Sequence, residues 1–242
     1  MTGTASFRGG AEESPRRAAR LVLFDVDGTL VDCGPQVRPL FAAALAEVWG
    51  TAGDLDGYSF AGKTDPRIVR DLMRAAGVPD DEVRAGMPRM RRAYLDRLEA
   101  ALDRDRMCLL PGVEALLARL AADPGVAVGL LTGNWERGAR IKLGRFGLGR
   151  HFPFGAFGDD GIDRAELPPV ALERAEAATG RRFRAEEVLI VGDSVEDVRC
   201  ASAHGVRCLA VATGWTSAAS LHEAGAACVA QDLAAAVAEG WV

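Results

Sequence analysis

At 242 residues with 49% hydrophobic composition, the chain can bury a full core and exceeds the usual single-domain size, so one large domain or a core with a smaller insert is expected. A net charge of -5 and a pI near 5.4 exclude a general attraction to nucleic acid or an anionic membrane, so an anionic ligand has to be met by local groups. The five cysteines, Cys33, Cys108, Cys200, Cys208 and Cys228, include no Cys-x-x-Cys pair, which argues against a disulfide framework and a zinc site. No apolar run has the length of a membrane span, and residues 1–20 lack the apolar centre of a signal peptide, so the expected location is cytoplasmic.

Residues 1–18 are rich in Gly, Ser, Glu and Arg without apolar periodicity and read as a mobile tail. Residues 21–29 are a bulky apolar run that breaks off at Asp25, with a second acid at Asp27 and then Gly28, the pattern of a buried strand emerging into a cleft. Carboxylates at i and i+2 of an extended chain face one side, which suits a nucleophile beside an acid or base. The same residues could form an ordinary turn. Gly34 and Pro35 break the chain, and residues 37–48 have helical spacing. Helical pattern continues to residue 107, with Ile68, Val69 and Leu72 on one stripe and Met90, Tyr94, Leu95 and Leu98 on another. No strand is expected there, so residues 33–107 are predicted to form an all-helical insert, a lid over the strand end.

Beyond the insert the pattern alternates. Helices are expected over 111–122, 135–146, 167–179 and 195–204, and strands over 126–131, 154–157, 188–191 and 206–211. Segments 217–223, 227–229 and 233–238 continue the alternation. The implied fold class is α/β: a Rossmann-like, doubly wound, mostly parallel sheet from residues 19–32 and 108–242, with the helical insert after its first strand. Ligands of such sheets bind beyond the carboxyl ends of the strands. Three strand ends carry suitable groups: Asp25 and Asp27; Thr132, Gly133 and Asn134; and Gly192, Asp193 and Ser194.

Thr132-Gly133-Asn134 could present a hydroxyl and backbone N–H groups to an anion at a helix N-terminus, or simply cap that helix. Asp193, with Asp197 four residues on, could likewise belong to a cap. If these carboxylates converge with Asp25, they form the oxygen-rich set that Mg²⁺ favours. Lysine occurs only at Lys63 and Lys142.

Phe24-Asp25-Val26-Asp27-Gly28-Thr29, Leu130-Leu131-Thr132-Gly133-Asn134 and Val191-Gly192-Asp193-Ser194-Val195-Glu196-Asp197-Val198, in this order and with a helical insert after the first, resemble the haloacid dehalogenase superfamily. Leu110-Pro111-Gly112-Val113 and Val211-Ala212-Thr213-Gly214 are similar to its phosphoglycolate-phosphatase branch. The resemblance implies a phosphatase acting on a small phosphorylated metabolite, with Asp25 attacking phosphorus and forming an aspartyl-phosphate. It implies that Asp27 protonates the leaving oxygen and then deprotonates water, and that Thr132 and Gly133 hold phosphoryl oxygens. Mg²⁺ is implied on the Asp25 and Asp193 side chains and the Asp27 carbonyl, with Asp197 close by.

One motif departs from the pattern. Many relatives carry a Lys-Pro segment where this chain has Asp163-Arg164-Ala165-Glu166-Leu167-Pro168. Either Arg164 supplies the cation, or Lys142 reaches across from the helix after Thr132. Lys142 is favoured, because a compact ammonium bridges a carboxylate and a phosphoryl oxygen more readily than a planar fork; otherwise it lies on a solvated helix face. Lys63, in Phe60-Ala61-Gly62-Lys63-Thr64-Asp65, opens a lid helix capped by Thr64 or Asp65 and could face the substrate or solvent. Trp135 could edge the pocket or merely pack, while His151, His204 and His222 have no metal spacing and read as structural.

Three other functions share these features. A dehalogenase has no need for the acid at Asp27. A phosphonatase would need Lys63 as its Schiff-base lysine. A non-catalytic phospho-accepting module would lack both the insert and the second acid. No nucleic-acid or membrane partner is expected, and the chain is expected to be a monomer or homodimer.

Overall fold

The computed structural model describes residues 20–242, and the tail expected over residues 1–18 lies outside them. Strand β1 (Leu21–Phe24) is buried at every position because both its faces are covered. Leu21 and Leu23 point into one apolar cluster, Val22 and Phe24 into the other, as the period of two requires. After the turn that follows β1, strand β2 (Val31–Asp32) pairs antiparallel with β3 (Cys108–Leu109), so the segment between them leaves and rejoins the core at one point.

That segment forms α1 (Val37–Trp49), α2 (Asp65–Ala75) and α3 (Asp80–Ala101) and, between β2 and β3, no strand among the described residues. The Thr64 hydroxyl caps α2 by accepting the Arg67 N–H at 3.2 Å. Both expected apolar stripes are buried. The insert meets the core through an aromatic joint. Phe41 of α1 lies 5.3 Å from Phe60, 4.9 Å from Tyr94 of α3 and 6.4 Å from Trp135 of the core, centroid to centroid.

The core continues through α4 (Val113–Ala121), β4 (Ala127–Leu131), α5 (Glu136–Gly144), β5 (Gly155–Ala156), α6 (Leu167–Thr179), β6 (Val188–Gly192), α7 (Val195–Ala203), β7 (Arg207–Val211), α8 (Ala218–Glu223), β8 (Cys228–Ala230) and α9 (Leu233–Ala238). The sheet is wholly parallel in the order β5-β4-β1-β6-β7-β8. The chain order reverses at β1, which places the ends of β1, β4 and β6 at the switch point where ligands of such sheets bind.

The observed elements differ from the expected ones chiefly at their ends. Helix α4 starts two residues later than its apolar pattern because Gly112, at φ 86°, turns the chain just before it. A Cβ there would lie 2.2 Å from the Ala234 backbone nitrogen. The β2–β3 ladder has no counterpart in the sequence pattern, since two residues per strand carry no measurable period.

Phe41→Ala should destabilise the protein by about 3–5 kcal/mol, because it empties the middle of the aromatic joint. Denaturant unfolding checks this; a loss below about 1 kcal/mol would mean that the joint collapses without cost.

Candidate active site

Strand β1 stops at Phe24, so the extended spacing expected to align Asp25 and Asp27 does not apply. The Val26 carbonyl accepts the N–H groups of Leu30 and Val31 at 2.9 and 3.1 Å, and Gly28 adopts φ 78°. This tight turn sends the two carboxylates to different partners. Asp25 is buried, while the side chain of Asp27 is 42% exposed.

The turn is pinned from the neighbouring strand ends. The Thr29 hydroxyl donates to Asp193 Oδ1 at 3.0 Å, and the Thr213 hydroxyl donates to the Gly28 carbonyl at 2.6 Å. Only glycine fits at two points against Asp193. A Cβ on Gly28 would lie 2.5 Å from its Oδ2, and one on Gly214 would lie 1.7 Å away. Ser194 and Asp197 form a reciprocal capping box at the start of α7, with Ser194 N and Oγ both donating to Asp197 Oδ2, at 3.0 and 2.5 Å.

Asp25, Asp193 and Asp197 thereby present carboxylate oxygens all within 4.8 Å of one another, all three buried. Arg164, in the short turn before α6, enters this cluster. Its Nη2 lies 3.2 Å from Asp25 Oδ1 and 2.5 Å from Asp197 Oδ1, and it also donates to the Leu131 carbonyl at 2.9 Å. Burial pushes Asp25 up to about 6; Arg164 opposes the shift, and Asp197 and Asp27 add to it. Burial likewise raises Asp193 well above the carboxylate range, reinforced by Asp25 and Asp197. Burial would lower Arg164, but Asp197 and Asp25 together hold it above its ordinary value. Three buried carboxylates around one guanidinium leave negative charge uncompensated, and hard oxygen donors of this kind fit a divalent cation such as Mg²⁺.

Lys142, on α5, goes elsewhere. Its Nζ lies 2.5 Å from Asp27 Oδ2 and 2.5 Å from Asn134 Oδ1, and Asn134 Nδ2 donates to the same Asp27 oxygen at 2.8 Å. Burial would lower Lys142, but Asp27, with Tyr94 and Cys33 behind it, holds it above its ordinary value. Two alternatives left open by the sequence are decided in position, though not in role. Lys142 is not on a solvated face, being 2% exposed, and it pairs with Asp27, whereas the cation in contact with Asp25 is Arg164. Three acceptors, Asp25, Asp197 and the Leu131 carbonyl, gather on Nη2 of Arg164, while its Nη1 reaches the Gly62 carbonyl at 3.3 Å.

The turn after β4 meets the insert directly. The Thr132 hydroxyl accepts Asn134 Nδ2 at 2.9 Å, and the Gly133 carbonyl accepts the Asp65 N–H at 2.7 Å. A Cβ on Gly133 would lie 2.2 Å from the Lys63 carbonyl oxygen, so glycine is what lets the loop at Lys63 close onto this turn. Lys63 itself turns its ammonium onto the Tyr58 ring, 3.7 Å from the centroid, and burial lowers it below its ordinary value, partly offset by Asp71. Trp135 packs in the aromatic joint, 2% exposed.

Sequence reasoning missed Asp65 as a site-side group, naming it only as a possible cap. Its buried Oδ2 accepts the Trp135 N–H at 2.8 Å, so a carboxylate from the insert caps the core helix α5. Cys33, which the sequence marks only as one of five scattered cysteines, brings Sγ to 3.6 Å from Asp27 Oδ1. Only its position just after the first motif could have pointed to it.

The model for haloacid dehalogenase-like hydrolases matches residues 22–211. The chain belongs to this family. It is 32% identical over 219 residues to a phosphoglycolate phosphatase of Pseudomonas savastanoi, covering 88% of this chain and 77% of that one. To a phosphoglycolate phosphatase of Cereibacter sphaeroides it is 32% identical over 206 residues, covering 84% and 88%. Among solved structures, that of CbbY from Rhodobacter sphaeroides in complex with phosphate is similar with a TM-score of 0.68 at 19% identity, over 90% of this chain and 96% of that one. The fold is therefore that of haloacid dehalogenase-like hydrolases. No helix among the described residues is long and apolar enough to cross a membrane.

Burial pushes Asp65 up to about 7, opposed by Lys142 and by the Trp135 N–H. This folded value lies above that of an unfolded aspartate, about 3.9, so ionising Asp65 costs stability: nothing below about pH 4, increasingly up to about 7, and fully beyond. Asp65→Asn keeps an oxygen for Trp135 and should raise Tm at about pH 8, the gain fading toward about pH 4. Thermal melts across this range test it; a gain independent of pH would assign the effect to packing.

Proposed function

We propose that this chain is a Mg²⁺-dependent phosphatase that hydrolyses a small phosphate monoester through an aspartyl-phosphate on Asp25. The observation that carries it is the division of charge at the sheet switch point: Asp25 lies in a buried acidic cluster with Asp193, Asp197 and Arg164, while Asp27 is held apart by Lys142 and Asn134. The phosphoglycolate phosphatase relatives make phosphoglycolate the first substrate to assay.

The cation would sit on the Asp25 and Asp193 side chains and the Asp27 carbonyl, where it supplies charge neutralisation to the phosphoryl oxygens. Asp197 takes a supporting part, since its two oxygens are engaged by Arg164 and Ser194. Asp25 attacks phosphorus, and Arg164 fixes the orientation of its carboxylate. Gly133 and Thr132 face the transferring group at the start of α5, where the Gly133 N–H and the helix dipole favour an anion. Asp27 gives a proton to the departing alkoxide and then takes one from the water that cleaves the aspartyl-phosphate. The helical insert closes over these groups as a cap, which shields the phosphoryl group from bulk solvent.

The other functions fit the geometry less well. A halide leaves without a proton, yet Asp27 is held by two donors as an acid or base needs to be. A phosphonatase would need the amine of Lys63 free for an aldehyde, and that amine rests on Tyr58. Borohydride trapping with phosphonoacetaldehyde would detect it.

Activity on p-nitrophenyl phosphate should vanish with chelator and return with Mg²⁺, and Asp193→Asn should raise the Mg²⁺ requirement at least about tenfold, because a hard ligand loses its charge. Full activity after exhaustive chelation would eliminate the metal assignment.

Leaving groups separate the tasks of the two aspartates. An alkoxide must be protonated as it departs and p-nitrophenolate need not be, so Asp27→Asn should slow phosphoenzyme formation about 10²-fold or more with an alkyl phosphate but little with the aryl ester. Rapid-quench assays of this variant should show a nitrophenol burst approaching one equivalent, then slow turnover. Asp25→Asn should give neither. Equal slowing of Asp27→Asn on both substrates without a burst would reduce Asp27 to a turn-former.

A further inference from the structure

Lys142 is nearly inaccessible, at 2% exposure, and the mechanism above gives its charge no direct task. Its two hydrogen bonds decide more than its burial does. An ammonium only donates, so the Asn134 amide must turn Oδ1 toward Lys142, which leaves Nδ2 to face Asp27. Lys142, Asn134 and Asp27 therefore close a three-membered ring of hydrogen bonds in which both donors to Asp27 end on the same oxygen, Oδ2, at 2.5 and 2.8 Å. On the other oxygen, Oδ1, the contact is the weak Cys33 thiol at 3.6 Å. A proton placed on Oδ2 would face an ammonium and an amide N–H, donor against donors, at the cost of two charge-assisted hydrogen bonds. The proton of Asp27 therefore belongs on Oδ1.

We propose that Lys142, acting through Asp27 and relayed by Asn134, is the positioning residue that commits Oδ1 of Asp27 to proton transfer. The proposal rests on the assignment of Asp27 as acid and base. In the first step a carboxylate oxygen of Asp25 bonds to phosphorus, the bond from phosphorus to the leaving oxygen breaks, and the Oδ1 proton passes to that oxygen. In the second, water oxygen bonds to phosphorus as Oδ1 takes its proton, and the phosphorus–oxygen bond to Asp25 breaks, restoring the Asp25 carboxylate and the protonated Asp27 and releasing phosphate. Throughout, Oδ2 keeps its two donors, so the carboxyl group cannot rotate to exchange its oxygens. Lys142 can hold this geometry because it comes from α5 of the core and is shielded by Tyr94 of the insert, whose hydroxyl, like Cys33 and Asp65, lies close enough to influence it.

The test compares Lys142→Met, which keeps the apolar stem and removes the donor, with Lys142→Gln, which restores one N–H. Thermal melting first identifies which of them is folded. With p-nitrophenyl phosphate, Lys142→Met should retain a burst near one equivalent and an unchanged KM while kcat falls about 10²-fold, the range for loss of one proton-transfer group. With an alkyl phosphate the burst should be lost as well. Lys142→Gln should recover about tenfold or more of the loss in kcat, a rescue that a charge requirement alone would not give. Adding Lys142→Met to Asp27→Asn should cost less than about threefold more, because both act through one carboxyl group. Loss of the aryl burst, or full additivity with Asp27→Asn, would overturn the proposal and put Lys142 on the phosphoryl group itself. Should one variant fail to fold, the burst and additivity of the other decide. Retained turnover in Asp25→Asn would instead refute the aspartyl-phosphate mechanism, so the two failures are distinguishable.

Discussion

The site depends on two buried cations that keep its acidic groups apart. Arg164 pairs with Asp25 and Asp197, Lys142 pairs with Asp27, and each cation is almost completely removed from solvent. A buried charge without a partner costs several kcal/mol, and breaking such a pair costs about 3–5 kcal/mol, so the carboxylates cannot be rearranged freely. The consequence is chemical. Two aspartates separated by one residue meet different environments, the condition under which one group attacks while another carries the proton.

The division of charge is produced by a short turn. Had β1 continued, Asp25 and Asp27 would have pointed the same way and repelled each other in a low dielectric. Ending the strand at Phe24 and closing the chain onto the Val26 carbonyl releases Asp27 toward α5 and leaves Asp25 facing β6 and α6. Gly28 makes the turn possible twice over, through its positive φ and through the space it leaves for Asp193.

The helical insert is joined to this arrangement at the level of the backbone. Asp65 spans the junction, its N–H donating to the Gly133 carbonyl and its carboxylate accepting the Trp135 N–H, and Arg164 reaches the Gly62 carbonyl at 3.3 Å. The insert thus contacts the turn after β4 and the cation beside Asp25 at once. Around these polar contacts the aromatic joint of Phe41, Phe60, Tyr94 and Trp135 excludes water, which strengthens each of them. Salt bridges from Arg67 to Asp163 and Glu196 add a more exposed outer layer of less energetic weight.

The sequence by itself determined the alternation of strands and helices, the helical nature of the insert and the three strand ends that carry Asp25, Thr132 and Asp193. These follow from apolar periodicity and local capping, which act over a few residues; helices 167–179 and 233–238 have the limits that their pattern indicates. Only the tertiary structure decided which cation meets which acid. Lys142 and Asp27 lie 115 residues apart, and no local signal distinguishes a lysine that tunnels under a turn from one that lies in solvent. The same holds for Asp65, whose partner is a helix of the core 70 residues away, and for the two-residue ladder that anchors the insert. Periodicity reports which face of an element is buried. Pairing of buried charges depends on where elements distant in sequence are brought together, and that is fixed by packing of the whole fold.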